Sequence, residues 1–425
     1  MAIGNYSGHH LSHTHFILWA FMKIIFFVEN NHAGGMDSFF ANVINNWPHE
    51  EDDLCLICNK GHPGLPFIKK SVQRECEYID HDIPLNIDIV DRLFGWLPFK
   101  LRRLLRPFVR VLLSYFQLKR LRTLFISSGG DKLLVVNGAY PGGETCRLAN
   151  IAWDNLGRAK SVHNIRNFAI PPRLGFGWYE NWIDRRLNNC VHSYIGVSKC
   201  CAESLRLRPT LKNSSKICHI YNGVPLPSID ETQTPSFKLR ERLDIGSSPL
   251  CLMLGTYEQR KGHEFLFKAF AKTSVQHPDA HLVICGDSTY EEKAKVEKLR
   301  TLLAPSANIH MLDFVADGKK LINQADMLVV ASQEWESFGW TVIEAMVRGV
   351  PVVSTNAGGL AEVVGPDGEA GFSVDRDDSN RFSDCMSELI SNTQRRSAMG
   401  EKGRLRVSNM FTVGRMASEY SKILR

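Results

Sequence analysis

Short, dense apolar runs recur along this chain, each closed by a small or glycine-containing turn and followed by residues with helical spacing. In the first half the runs are 23–28, 53–58 and 132–136, with more polar strand candidates at 160–163 and 193–198; in the second they are 250–254, 281–284, 309–312, 327–331 and 351–354. Runs that are apolar at every position, rather than at alternate positions, mark strands buried on both faces, as in parallel sheets. Helical stretches at 263–273, 291–303 and 341–348 fall between the later runs. Strict strand–helix alternation predicts an α/β chain of doubly wound parallel sheets. At 425 residues the chain is too long for one compact core and predicts two domains. The boundary falls in 226–248, where Pro227 and Pro235 sit among serines and threonines in a linker with an entry helix. The expected organisation is an extension at 1–21, a first domain at 22–225, a second at 226–410, and a terminal helical segment at 411–425.

The most telling stretch is Glu336-Ser-Phe-Gly-Trp-Thr-Val-Ile-Glu344, which places two carboxylates eight residues apart across a loop-to-helix junction. Glu336 follows a buried strand, at the carboxyl end where open α/β sheets bind ligands. Glu344 is expected in the first turn of the helix that follows, and Gly339 lets a ligand approach the backbone. A second loop, Gly255-Thr-Tyr-Glu-Gln-Arg260-Lys261-Gly262, also lies between a strand and a helix and carries two adjacent cations suited to a diphosphate. In the first half, Gly34-Gly35 follows the first strand and precedes a helix, a further candidate anion turn. The 163–167 segment, His163-Asn-Ile-Arg-Asn167, is expected to be a loop after a strand.

The block from Glu336 through Ala345-Met-Val-Arg-Gly-Val-Pro-Val-Val353, with Ala357-Gly-Gly-Leu-Ala-Glu362-Val-Val, resembles the signature of glycosyltransferase family 4. The likeness runs from Lys23 to the C-terminus, strongest in the second half. It implies a GT-B fold, two Rossmann-like domains facing a cleft, with the C-terminal helix returning to the first domain. It further implies a retaining transferase using a nucleotide-diphosphate sugar. Catalytic roles fall to Glu336, on the donor sugar hydroxyls, and to His163, near the donor sugar. Donor contacts fall to Gly255, Arg260, Lys261, Phe338, Gly339 and Glu344 (the last on the ribose diol), with Gly34 and Gly35 from the first domain. The family's arginine after the first loop glycine is replaced here by Thr256, which leaves Arg260 as its substitute.

Charge adds a second theme. Residues 22–225 hold 27 Lys and Arg against 18 Asp and Glu; residues 226–425 hold 24 against 27. The basic surplus concentrates in 95–125, and no acidic residue lies between Asp91 and Asp131. Arg102, Arg106 and Arg110 repeat at every fourth position, with Arg103 beside them, while Leu101, Leu104, Leu105, Phe108 and Leu112 line another face. This predicts a basic amphipathic helix, interrupted near Pro107, that docks on an anionic membrane surface. No recognised nucleic-acid fold accompanies it, so nucleic acid is not expected as a partner.

The remaining features exclude more than they assign. No run reaches the ~18–20 apolar residues that span a bilayer; 16–28 comes nearest but contains Lys23 and lacks a basic leader. Eleven scattered cysteines, several inside apolar runs, read as reduced thiols of a cytoplasmic protein. Cys55 and Cys58 have metal-like spacing, but they sit in a strand with no second pair, so no metal is expected. The expected activity is sugar transfer to a glycan or lipid-linked acceptor, in bacterial cell-surface polysaccharide assembly, by an enzyme at the inner face of the membrane. No cofactor is expected beyond the donor. The alternatives are a nucleotide-sugar epimerase of the same fold and a binding-only relative.

Overall fold

The computed structural model describes residues 21–227, 238–315, 318–334 and 336–425, without the side chains of 86–88, 106 and 107. Most of the 1–21 extension and much of the linker lie outside these residues. The first seven strands are β1 (Lys23–Val28), β2 (Asp53–Asn59), β3 (Glu77–His81), β4 (Lys132–Asn137), β5 (Ser161–Ile165), β6 (Val191–Gly196) and β7 (Ile217–His219). They form one parallel sheet in the order β3-β2-β1-β4-β5-β6-β7. The other six are β8 (Leu250–Leu254), β9 (His281–Cys285), β10 (Asn308–Leu312), β11 (Met327–Val330), β12 (Val352–Thr355) and β13 (Phe372–Val374). They form a second parallel sheet, β10-β9-β8-β11-β12-β13.

The apolar runs become strands because both faces of each sheet are covered. Along β1, Ile24, Phe26 and Val28 join one core and Ile25 and Phe27 the other. Cys55 and Cys58 obey the same alternation and face opposite sides of the sheet, so they cannot ligate one ion. The helix Val413–Leu424 packs Met416, Ala417, Tyr420 and Leu424 into the core of the first sheet beside Phe39. The chain thus ends on the domain in which it began.

The basic segment differs from its expected form. Its helix runs unbroken from Phe99 to Ser128, through Pro107. Leu121 and Phe125, on its inner face, are fully buried against the first sheet, with Phe125 edge-on to Phe27 and Trp153. This packing, rather than local propensity, carries a helix of this length.

Order reverses between β1 and β4 in one sheet and between β8 and β11 in the other, and doubly wound sheets bind ligands at such points. The lobes are joined beside them. The Glu362 carboxylate accepts from the Lys199 and Cys200 amides at 2.8 and 2.6 Å, and from Tyr221 Oη at 3.1 Å. Ser198 Oγ donates to the Ser337 carbonyl at 2.7 Å. Because Glu362 caps a helix of the opposite lobe, Glu362→Ala should cost about 1 kcal/mol. That is a fall of about 2–4 °C in melting temperature for a domain of this size. Glu362→Gln, which keeps an acceptor oxygen, should lose less; calorimetry showing both variants unchanged would dismiss the latch.

Candidate active site

Two loops at the β8/β11 switch point build the first hollow. The chain leaves β8 through Gly255 and returns to the helix His263–Gln276 through Gly262, whose φ of 75° lies in the left-handed region. A Cβ on Gly262 would stand 1.9 Å from the Ala331 carbonyl oxygen. Glycine therefore lets the β8 loop press directly on the residues that follow β11, and this contact brings Lys261 to Glu336. Glu336 Oε1 accepts from Ser332 Oγ at 2.9 Å, from Arg260 Nη1 at 3.4 Å, and from Lys261 Nζ. Arg260 Nε also donates to Glu258 at 2.5 Å. Burial alone would lower the Arg260 pKa, but its bond to Glu258 and the field of Glu336 reverse that and raise it. The hollow, about 290 Å³, is lined by Gly255, Thr256, Lys261, Glu336, Gly339 and Trp340, among others.

A second hollow, also about 290 Å³, opens at the carboxyl ends of β1, β4 and β5 and is lined by Gly34, Gly35, Arg166, Asn167 and Asn222. Ser337 and Trp340 line both hollows, so the two share a wall across the cleft. A larger hollow of about 640 Å³ lies at the opposite, amino ends of the first strands. Its Arg74 is already spent on the carbonyls of Trp47, His49, Glu50 and Asp52, and no switch point faces it.

The expected residues divide as follows. Glu336, Lys261, Arg260, Gly255 and Gly339 converge on the first hollow, and Gly34 and Gly35 on the second. Glu344 is the fifth residue of the helix Trp340–Met346, so it opens the second turn rather than sitting in the first. It is half-buried and does not line either hollow.

Phe338 is a correction. Its side chain is 1% exposed and packs between Tyr221 and Phe411 at ring separations of 6.2 and 5.8 Å, so it glues the lobes together and does not face the hollow.

His163 is another correction. It lies mid-strand in β5, fully buried, with Asn150 Nδ2 at 2.9 Å from its Nδ1. Burial, with nearby Arg147, pushes its pKa down to about 3, and it lines neither hollow. The residue that reaches the cleft after β5 is Arg166.

The basic helix also redistributes its cations. Arg102 pairs with Asp91 at 2.9 Å. Arg110 turns inward to Glu144 at 3.4 Å and joins a buried cluster. There Arg147 pairs with Glu144 at 2.5 Å, and Arg208 with Glu180 and Asp184, both at 2.8 Å. Burial alone would raise the Glu144 pKa; Arg147 and Arg110 outweigh it and hold the carboxyl below its usual value. Arg102 and Arg110 are therefore committed within the protein, whereas Arg103 is exposed. The Arg106 side chain is outside the described residues. Residues that sequence reasoning missed are Ser332, Trp340, Arg166 and Asn222; Trp340 and Arg166 lie inside stretches singled out above, Ser332 directly follows the run 327–331, and Asn222 carries no local signal of that kind.

Two α/β lobes with facing switch points define a protein of the GT-B type. Residues 236–406 match the family Glycosyl transferases group 1. The capsular polysaccharide biosynthesis glycosyltransferase CapM of Staphylococcus aureus is 24% identical over 72% of this chain and 80% of its own length. Spore coat protein SA of Bacillus subtilis is 25% identical over 53% of this chain, and the core mannosyltransferase LpsB of Rhizobium meliloti 27% over 48%. The matched regions span 63% and 62% of those two relatives, under two thirds of their length. Among solved structures, Anabaena HepE in complex with UDP superimposes with a TM-score of 0.71 at 18% identity, over 95% of this chain and 99% of HepE. A Rickettsia africae glycosyltransferase gives 0.72 at 20% identity, over 96% and 98%. At these identities the structural likeness establishes the fold.

The Gly262 contact can be tested by substitution. Gly262→Ala should destabilise by about 2–4 kcal/mol, from left-handed backbone plus overpacking. Gly61→Ala, at φ 77° with open space around it, should cost only about 1–2 kcal/mol. Equal losses in denaturant titrations would refute the close approach of the two loops.

Proposed function

We propose that this protein is a retaining glycosyltransferase. It moves a sugar from a nucleotide-diphosphate donor to a glycan or lipid-linked acceptor, in cell-surface polysaccharide assembly at the cytoplasmic face of a membrane. The observation that carries the reading is the convergence of Lys261, Arg260 and Glu336 at one switch point, facing the glycine turn of the other lobe. Breaking a sugar–phosphate bond leaves an oxocarbenium-like centre and puts charge on the departing diphosphate. Preorganised cations stabilise that charge most where water is excluded. Lys261 and Arg260 serve the diphosphate, Glu336 orients the sugar hydroxyls, and Glu344, one turn along the helix, takes the ribose diol. The acceptor hydroxyl attacks from the leaving-group face; its bond to the anomeric carbon forms as the sugar–phosphate bond breaks, and its proton passes to the departing diphosphate oxygen on that face. UDP in HepE and the naming of LpsB as a mannosyltransferase support the donor class.

Lys261→Ala and Glu336→Ala should each lower kcat about 10²–10³-fold with unchanged melting temperature. Released nucleoside diphosphate should require acceptor, whereas an epimerase would convert the sugar without one. Normal turnover in both variants would remove the site assignment.

The exposed stripe of the basic helix supports membrane docking. Leu101, Leu104, Phe108, Leu112 and Tyr115 follow one another at steps of three and four and are all exposed. Lys100, Arg103, Lys119 and Arg122 are exposed on the same helix. Apolar insertion with flanking cations fits an anionic lipid surface. Among the described residues, no helix is long and apolar enough to cross a membrane. Co-sedimentation with phosphatidylglycerol-rich vesicles should fall about 30-fold when Lys119 and Arg122 are replaced by alanine, from about 1 kcal/mol for each charge. It should also fall in the double variant Leu104→Ser, Leu112→Ser. Binding indifferent to both sets and to lipid charge would end this part of the proposal.

A further inference from the structure

The second hollow contains two polar side chains that each keep one buried atom without a hydrogen-bond partner. Arg166 is the first residue beyond β5, anchored by its amide to the Asn137 carbonyl at 2.9 Å. Its guanidinium lies over the Phe39 ring, 4.2 Å from the centroid. The guanidinium donates to the Tyr420 hydroxyl, but its Nη1 is buried and has no hydrogen-bond partner, and no carboxylate among the described residues pairs with this arginine. Asn222 is 2% exposed and its Oδ1 likewise lacks a partner. Both residues line the hollow, and none of its lining side chains is acidic. The contrast with the first hollow is sharp: there Lys261 and Arg260 already share Glu336, and Arg260 also has Glu258. The Gly34 amide is used by Asp37 at 2.7 Å, so the neighbouring helix end adds little to the site.

A half-buried guanidinium with an unpartnered Nη1 and no counter-charge calls for an anion, and an unpartnered amide oxygen calls for a donor such as a hydroxyl. We propose that this hollow binds a phosphate-bearing, hydroxylated group, with Arg166 on the phosphate and Asn222 on a hydroxyl. The placement in the cleft rests on the transferase reading above; the chemistry of the hollow does not. Two sources carry that chemistry: the diphosphate and sugar of the donor, or a phosphorylated acceptor.

Calorimetric titration of the full chain with UDP, inorganic pyrophosphate and glucose 1-phosphate tests the inference without requiring turnover. Arg166→Gln should weaken at least one phosphate probe about 10- to 100-fold, the range of a hydrogen bond to a charged group. Asn222→Ala should weaken glucose 1-phosphate several-fold and leave inorganic pyrophosphate unchanged. Loss of UDP binding alone in Arg166→Gln assigns the hollow to the donor; loss of glucose 1-phosphate alone assigns it to a phosphorylated acceptor. Arg166→Lys, which keeps the charge but not the fork, should fall between wild type and Arg166→Gln, and it serves as the test if the glutamine variant unfolds. Unchanged affinity for every probe in folded Arg166 variants overturns the proposal. Lys261→Ala is titrated in parallel. If it leaves UDP binding intact, the failure lies with the first hollow and the transferase reading rather than with Arg166.

Discussion

Every strand in both sheets runs parallel to its neighbours, and the position of the chemistry follows from that constraint. Parallel pairing needs crossover helices on both faces, so the sheet cannot offer a face to solvent or ligand. Only the strand ends remain, and all carboxyl ends of a sheet lie on one edge. The strand order splits the loops apart at β1/β4 and at β8/β11, which opens a crevice in each lobe. The Glu362 latch and the Phe338–Tyr221–Phe411 aromatic contacts then bring the lobes together beside the two crevices. Glu336 and Arg166, distant in sequence, thereby line neighbouring hollows.

The first lobe stiffens its edge by a costly route. Arg147, Arg208, Glu144, Glu180 and Asp184 are buried almost completely, with Tyr140 and Tyr179 donating to the carboxylates at 2.6 and 2.7 Å. Ions taken out of water lose more than pairing usually returns, so such a cluster is weak evidence for stability in itself. Its geometry does specify position: it ties the helix Glu144–Asp154 to the helix Gly177–Cys190 and to the turn after β4. Removing any one member would strand a buried charge, which locks the arrangement in place.

The central strands were legible because burial on both faces demands uninterrupted apolar runs. β3, β7 and β13 were not, because each is short and all three are edge strands, two of them with exposed residues such as Glu77 and His219. The end of β5 was misplaced for a different reason. His163 and Asn164 look like loop residues, yet Asn150, the Ile195 carbonyl and Tyr420 satisfy them inside the sheet. Side-chain partners contributed by other helices cannot be read from local pattern, and the error moved attention three residues upstream of Arg166. Phe338 and Arg110 were misjudged in the same way, since Tyr221, Phe411 and Glu144 come from remote parts of the chain. Local signals did suffice to single out Lys261, Arg260 and Glu336, which meet at one hollow, because they lie in glycine-containing loops that follow apolar runs.

The lack of a side chain at position 35 sets how nearly the two lobes can meet. A Cβ built there would sit 3.4 Å from the Trp340 indole nitrogen, so a single methyl would just touch and anything bulkier would act as a wedge. Position 35 thus acts as a spacer in the wall that the two chambers share: its thickness fixes where the Trp340 ring can stand, so one swap there would be felt on both sides of the indole.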